Sequence, residues 1–120
     1  FTGRNGFIKI GNRVGISNAT IVSAKYIEIE DDVMLGGSCK IYDTDFHSLL
    51  YEERISRPDI GIKSADVVIK KGAFIGAHSI ILKGVTIGEK SVIGAGAVVT
   101  KNVPPNEVWA GNPAKFIKKL

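Results

Sequence analysis

His47 is the residue of this 120-residue sequence best suited to do chemistry. It ends the segment Ile41-Tyr-Asp-Thr-Asp-Phe-His47, just before a polar stretch without regular spacing. Because imidazole titrates near neutral pH, a histidine beside such a loop can accept the proton of a hydroxyl that attacks an acyl donor. Asp43, Asp45 or a backbone carbonyl could hold the second ring nitrogen. The competing interpretation is a surface histidine that ends a regular segment.

The elements that must position His47 follow from a six-residue repeat. Aliphatic residues recur at Ile10, Ile16 and Val22, after one extra residue at Ile29, Leu35 and Ile41, and then at Ile69, Ile75, Ile81, Ile87, Ile93 and Val99. Small or β-branched residues stand two positions earlier, at Val14, Thr20, Ile27, Val33, Cys39, Val67, Ala73, Ser79, Val85, Ser91 and Ala97. No α-helix has this period. Side chains that point inward, outward and inward again in each unit predict one short strand per unit.

Each unit also carries a corner signal. Glycine directly follows the aliphatic position at Gly11, Gly36, Gly76, Gly88 and Gly94, where a sharp turn would leave little room for a Cβ atom. Three units close a triangular coil of about 18 residues, and coils stack at strand spacing. We therefore predict an all-β parallel β-helix of about four coils, forming a single domain over residues 1–120.

Two segments break the repeat. Residues 48–66 should form an excursion loop, and a long loop in a compact domain more often serves function than tolerates insertion. Pro104 and Pro105 end the ladder, and Asn112 followed by Pro113 is typical of a helix start, so a short capping helix is expected over residues 113–120. The sequence begins at Phe1 without methionine, which is compatible with a missing N-terminal segment.

The composition indicates which class of ligand the protein binds and in which cellular compartment it is expected. The formal net charge of +4 suits an anionic ligand, while the scattered basic residues argue against a nucleic-acid surface. No apolar run approaches the roughly 20 residues of a membrane span. The single cysteine, Cys39, excludes an internal disulfide and fits a reducing compartment, so we expect a cytoplasmic protein without a membrane partner.

The repeat, the aspartate-rich segment ending in His47, and the Gly111-Asn-Pro-Ala114 turn together resemble the hexapeptide-repeat acetyltransferases. The resemblance covers about residues 8–120 and is nearest to the galactoside, maltose and surface-polysaccharide sugar O-acetyltransferases. It implies a left-handed coil, acetyl-CoA as co-substrate, no metal, and transfer of acetyl to a saccharide or other small-molecule hydroxyl. It also implies a homotrimer with sites between subunits.

The same resemblance assigns residues to the site. His47 would be the general base, Asp45 its partner, and Asn18 would help to bind the acceptor, although an Asn at a solvated corner is an equal alternative. Residues that would bind coenzyme A are Phe74, Ala77, Ala95, Thr100, Lys101, Lys115 and Lys118, with Lys119 in the same basic cluster. Any one of these lysines could equally be a solvated side chain.

Three further residues could do chemistry but have simpler explanations. His78 falls at an outward position and is interpreted as a surface residue, or at most as part of the coenzyme A groove. Cys39 occupies a small inward position and is interpreted as core rather than as a nucleophile. Trp109 should pack between the last coil and the capping helix, with adenine stacking as the lesser alternative.

Other functions remain open from the sequence. A non-catalytic solenoid could serve as a scaffold or interaction module, and an amino sugar could replace the hydroxyl acceptor. A γ-type carbonic anhydrase is disfavoured, because those enzymes bind zinc through three histidines and this chain has two.

Overall fold

The computed structural model describes all 120 residues, and twelve of its short strands form three parallel sheets. The strands are β1 (Ile8–Ile10), β2 (Gly15–Ile16), β3 (Thr20–Val22), β4 (Ile27–Ile29), β5 (Met34–Leu35), β6 (Lys40–Tyr42), β7 (Val67–Ile69), β8 (Phe74–Ile75), β9 (Ile80–Ile81), β10 (Thr86–Ile87), β11 (Val92–Ile93) and β12 (Val98–Val99). The first sheet is β1-β4-β7-β10, the second contains β2-β5-β8-β11, and the third is β3-β6-β9-β12. The predicted all-β, parallel architecture is confirmed.

The six-residue period builds one continuous core. Consecutive strands belong to different sheets, so three strands make one coil and each strand pairs with its counterpart in the next coil. Inward side chains therefore stack in columns, as Ile29 over Ile69 and Leu35 over Ile75 do. The corner glycines allow this spacing, since a Cβ at Gly76 would lie 2.5 Å from the backbone N of Ala95.

The first coil departs from the predicted spacing. Ile21, not Val22, pairs with the buried Ile41, and Ala19 and Ile21 pack against the core. The predicted inward positions Val22 and Thr20 are therefore wrong. The inward positions are five residues apart from Ile16 to Ile21 and eight apart from Ile21 to Ile29, so β3 is shifted one residue towards the N-terminus. Ile10 and Ile16 remain about half exposed at this end of the solenoid, where no further coil covers them.

The excursion predicted over residues 48–66 is an organised arm, defined here as residues 44–64, because its two sides already pair at Thr44 and Ser64. It leaves the solenoid after β6, and its two sides pair where they meet: Asp45 N donates to the carbonyl of Lys63 at 2.9 Å, and Thr44 bridges Ser64 in antiparallel register. The arm carries the single helix α1 (Tyr51–Ser56). No helix in the structure has the length and apolar character needed to cross a membrane.

The predicted C-terminal capping helix is wrong. Residues 113–120 contain the strand β14 (Lys115–Lys119), which pairs antiparallel with β13 (Glu107–Ala110) and extends the second sheet. A helix of two turns is marginal by itself, whereas pairing with β13 satisfies an exposed sheet edge. Ala114 seals the core instead: it is buried, and its N–H donates to the Val98 carbonyl at 2.8 Å.

Candidate functional site

Corners of successive coils stack into three edges, and two of these edges carry the predicted site residues. The edge between the second and third sheets, called the Ala77 edge, contains residues 17–18, 37–38, 77–78 and 95–96. The edge between the third and first sheets, called the Lys83 edge, contains residues 24–25, the base of the arm, 83–84 and 101–102. Strands of the third sheet run from the first of these edges to the second.

The Ala77 edge carries Asn18, Ala77 and Ala95 in the first, third and fourth coils. The corners are tied by backbone bonds from His78 N to Gly37 O at 2.9 Å and from Gly96 N to Ala77 O at 2.8 Å. The N–H groups of Gly37, Ala77 and Ala95 donate no hydrogen bond within the chain. An extended ligand with carbonyl groups could accept from such donors, as a strand would.

What distinguishes this edge is the size of its side chains. In the third coil the equivalent corner positions are Lys71, Ala77 and Lys83, and in the fourth coil they are Glu89, Ala95 and Lys101. At the remaining edge, the N–H of Lys71 already donates to the Glu30 carboxylate at 2.9 Å. The corner N–H groups of Lys83, Glu89 and Lys101 also donate no hydrogen bond within the chain. Small side chains in both coils, rather than unpaired donors alone, therefore set the alanine edge apart.

His78 also lies on the Ala77 edge. It is exposed and has a left-handed backbone with φ of 61°, like Asn18 and Ser38 in the coils before it. This position is compatible with both interpretations of the sequence, a surface residue or part of the coenzyme A groove. The sequence did not predict the stacking of Asn18, Ser38 and His78, because β3 is shifted by one residue from the six-residue period.

His47 and Asp45 lie at the opposite edge of the third sheet. His47 is exposed near the base of the arm and makes no side-chain hydrogen bond. The Asp45 carboxylate forms an ion pair with Lys83, with 3.0 Å between Oδ1 and Nζ, while its Oδ2 is buried without a hydrogen-bond partner. His47, the predicted base, and Asp45, its predicted partner, are thus close in sequence but are not hydrogen-bonded to each other.

Asp43 is excluded as the partner of His47. Its carboxylate is fully buried and accepts from Ser23 Oγ at 2.7 Å and from the N–H groups of Ala24, Lys25 and Tyr26 at 2.7, 3.0 and 2.7 Å. These four bonds occupy both oxygens. Asp43 therefore joins the corner of the first coil to the base of the arm and serves the fold.

Three of the predicted coenzyme A residues share one cleft. Thr100, Lys101 and Lys115 line a cavity of about 220 Å³ together with Trp109 and Phe116. The cleft forms where the β13–β14 hairpin folds over the last coil. Lys118 lies outside its lining, on β14 opposite Val108. Trp109 lies on β13 and packs against the core, and β14 rather than the predicted capping helix lies next to it.

Phe74 and Cys39 fall where their sequence positions suggested. Phe74 is half exposed on the outer face of the second sheet, between Met34 and Val92. Cys39 is buried in the core, and desolvation by burial raises the pKa of its thiol. A raised pKa leaves less thiolate, so this cysteine is poorly suited to nucleophilic attack. The structure gathers no group of three or more His, Cys, Asp or Glu side chains that could hold a metal ion.

Within one chain these parts do not converge. The Ala77 edge lies at the start of the third-sheet strands, whereas the arm with His47 and the position of Lys101 lie at their end. The structure therefore brings Asn18, Ala77 and Ala95 together, and separately Thr100, Lys101 and Lys115, but keeps His47 across the sheet from the alanines.

Comparison with known proteins identifies the repeat. Residues 66–101 match the bacterial transferase hexapeptide family of six repeats. The galactoside O-acetyltransferase of Escherichia coli K12 is 38% identical over 103 residues, which are 86% of this chain and 48% of that protein. The predicted resemblance to hexapeptide-repeat acetyltransferases is confirmed.

Solved structures give the same result. A hexapeptide-repeat acetyltransferase from Vibrio cholerae O1 biovar eltor, complexed with acetyl coenzyme A, superposes with a TM-score of 0.87 at 34% identity and covers 98% of this chain and 62% of that one. A maltose O-acetyltransferase from Clostridium difficile 630 has a TM-score of 0.77 at 37% identity, covering 94% and 59%. The chain spans about half the length of the curated relatives it matches.

Proposed function

We propose that this chain is an acetyl-CoA-dependent O-acetyltransferase that acetylates a hydroxyl of a saccharide acceptor. Its coils would wind left-handed, as the family resemblance implies. The acceptor oxygen attacks the thioester carbonyl directly, a new C–O bond forms, and the C–S bond breaks to release coenzyme A. No covalent enzyme intermediate is needed.

The observation that carries this proposal is the combination of unpaired backbone N–H groups with small side chains at Ala77 and Ala95. Coenzyme A contains an extended arm with two amides, whose carbonyl groups can accept from the N–H groups of Ala77 and Ala95. The small side chains at these positions allow the arm to approach the backbone. Another donor of the same line could stabilise the negative charge that develops on the thioester oxygen.

His47 supplies the base in this mechanism. Its imidazole takes the proton of the acceptor hydroxyl during attack and returns it to the departing thiolate, so the proton count balances. Asp45 is the positioning residue, because its buried Oδ2 lacks a partner and an imidazole N–H can satisfy it. Such a bond would fix the ring tautomer and orientation.

The nucleotide end of the donor would bind beside the C-terminal hairpin. Lys101 and Lys115 offer cations, and Thr100 a hydroxyl, within one cleft that suits a phosphate group. Lys118 is exposed on the same hairpin and would contribute at longer range. Phe74 would form an apolar wall for the arm.

A homotrimer completes the proposed site. Because His47 and the Ala77 edge lie on opposite sides of the third sheet, one copy would supply the base and a neighbouring copy the alanine edge. Asn18, at the first-coil end of that edge, is then placed to bind hydroxyls of the acceptor. The saccharide class rests on the named substrates of the galactoside and maltose relatives.

The test compares the two histidines of the chain. Thiol release from acetyl-CoA is measured with a panel of sugars, amino sugars and other alcohols. We expect His47→Ala to lower kcat by a factor of roughly 10² to 10⁴, with unchanged stabilisation of the fold by coenzyme A. His78→Ala is the comparison: because His78 stands on the proposed donor edge but is not the base, kcat should be retained and any change should fall on KM for acetyl-CoA. Near-normal turnover of His47→Ala would reject the assignment of the base.

A further inference from the structure

The base of the arm is fixed by an ion pair with an unusual environment. Lys83 Nζ lies 3.0 Å from Asp45 Oδ1, and the two side chains are only 34% and 20% exposed. The other ion pairs, Lys9–Glu28, Arg13–Asp32 and Lys25–Asp66, each have at least one partner more than half exposed. Solvent screening weakens exposed pairs most, so the Lys83–Asp45 pair holds its geometry best.

Lys83 stands at the point where both sides of the arm meet the third coil. Next to it, Gly84 N donates to the carbonyl of Ala65, which directly follows the arm, at 3.1 Å. On the outgoing side, Asp45 N donates to Lys63 O at 2.9 Å. The Lys83 side chain thus links the outgoing side of the arm, at Asp45, to the third coil. The backbone of the same coil, at Gly84, binds the returning chain at Ala65.

We propose that Lys83 is a positioning residue for the reaction, acting on His47 through Asp45. By holding Oδ1, its ammonium group prevents the carboxylate from turning, so the buried Oδ2 stays available to the imidazole two residues further along. The ammonium group also compensates the carboxylate charge in a largely buried place. This inference rests on the proposed function, in which His47 is the base.

Removing the ammonium group of Lys83 should free the Asp45 carboxylate to rotate without unfolding the solenoid. In Lys83→Met the aliphatic stem remains, but Asp45 can rotate and become hydrated. The imidazole then samples more orientations, and a small misplacement of a catalytic group can cost up to about 10² in rate. Within one chain Lys83 lies on a different edge from the alanines and outside the lining of the hairpin cleft. Its ammonium group is paired with Asp45, so donor binding should be preserved.

The experiment combines kinetics with a spectroscopic readout of the two imidazoles. For Lys83→Met we expect kcat to fall roughly ten- to a hundredfold, with KM for acetyl-CoA changed by no more than about twofold. In carbon-proton correlation spectra, the imidazole signal of His47 should shift or broaden while that of His78 stays unchanged. Lys83→Arg should recover most of kcat, since it restores the charge, and Lys9→Met serves as the ion-pair control.

Coupling to Asp45 is tested by the double variant. If Lys83 acts through that carboxylate, Lys83→Met added to Asp45→Asn should lower kcat little further. A loss of kcat with an unchanged His47 signal would overturn the proposal, as would a perturbed His47 signal with normal kcat. If wild-type protein transfers acetyl to no acceptor, the proposed function fails, and the His47 spectrum alone decides whether Lys83 positions that ring.

Discussion

Replacing Asp43 with alanine should destabilise the protein far more than an ordinary surface change. The carboxylate accepts four hydrogen bonds at one corner, and both it and the Ser23 side chain are fully buried. In Asp43→Ala these donors lose their acceptor. The corner after β3 and the start of the arm would then lose their connection.

The size of the effect follows from which donors can find water. Ala24 and Lys25 are exposed residues, so their N–H groups can be hydrated, and Ser23 Oγ can donate instead to the Phe7 carbonyl at 3.2 Å. Tyr26 N has less access to water and is left without an acceptor. A buried donor left unsatisfied costs about 1–3 kcal/mol. One such donor, together with the weaker Ser23 bond and the lost packing of the side chain, gives an expected loss of about 2–4 kcal/mol in the free energy of unfolding. For a chain of this length that corresponds to roughly 8–16 °C in Tm.

Urea unfolding followed by circular dichroism would measure this loss, with Asp66→Ala as the matched control. Asp66 lies near the same corner but is half exposed and pairs with exposed Lys25 at 3.5 Å, so its removal should cost less than about 1 kcal/mol. If Asp43→Ala loses no more stability than Asp66→Ala, the corner does not depend on this carboxylate. Such a result would refute the role of Asp43 as the connection between the first coil and the arm.

Two further outcomes follow from the core and the alanine edge. Because burial raises the pKa of the Cys39 thiol, we expect no reaction with a disulfide reagent at neutral pH until urea unfolds the chain; rapid labelling of the native protein would contradict the core assignment. Ala95→Leu should cover the free N–H of its corner and weaken coenzyme A binding at least about tenfold, equal to about 1.4 kcal/mol. Glu89→Leu, at the equivalent corner of another edge, is its control, and isothermal titration calorimetry distinguishes the two; equal affinities would remove the alanine edge from the donor site.

Much of this fold can be predicted from the sequence, because the six-residue repeat assigns each residue to a strand or a corner from its near neighbours alone. Residues 18 apart, such as Ala77 and Ala95 or Lys83 and Lys101, must occupy the same edge of consecutive coils, whatever the remaining chain does. The period therefore predicted the core of the last two coils and the alanine line. It failed in the first coil, where β3 shifts by one residue, because Ile21 and Val22 are both aliphatic and either one fits the inward pattern.

The predicted C-terminal helix is wrong for a different reason. Asn112 and Pro113 do favour a helix start, and Phe116, Ile117 and Leu120 fit one helical face. The pattern contains no information about the exposed edge of β13, which is available only after the whole solenoid has formed. Pairing with that edge satisfies backbone groups that a short isolated helix would leave to solvent, so tertiary context overrode the local signal.

The arm is the part of the chain that a six-residue period describes least. Its length, and the presence of His47 at its base, are visible in the sequence, but nothing periodic relates Asp45 to Lys83 or separates the roles of Asp43 and Asp45. The structure separates them by burial: Asp43 uses both oxygens at the first-coil corner, and Asp45 keeps one oxygen free while Lys83 holds the other. Two carboxylates spaced for the same face of a strand thus acquire different tasks, because one meets backbone donors and the other meets a single cation.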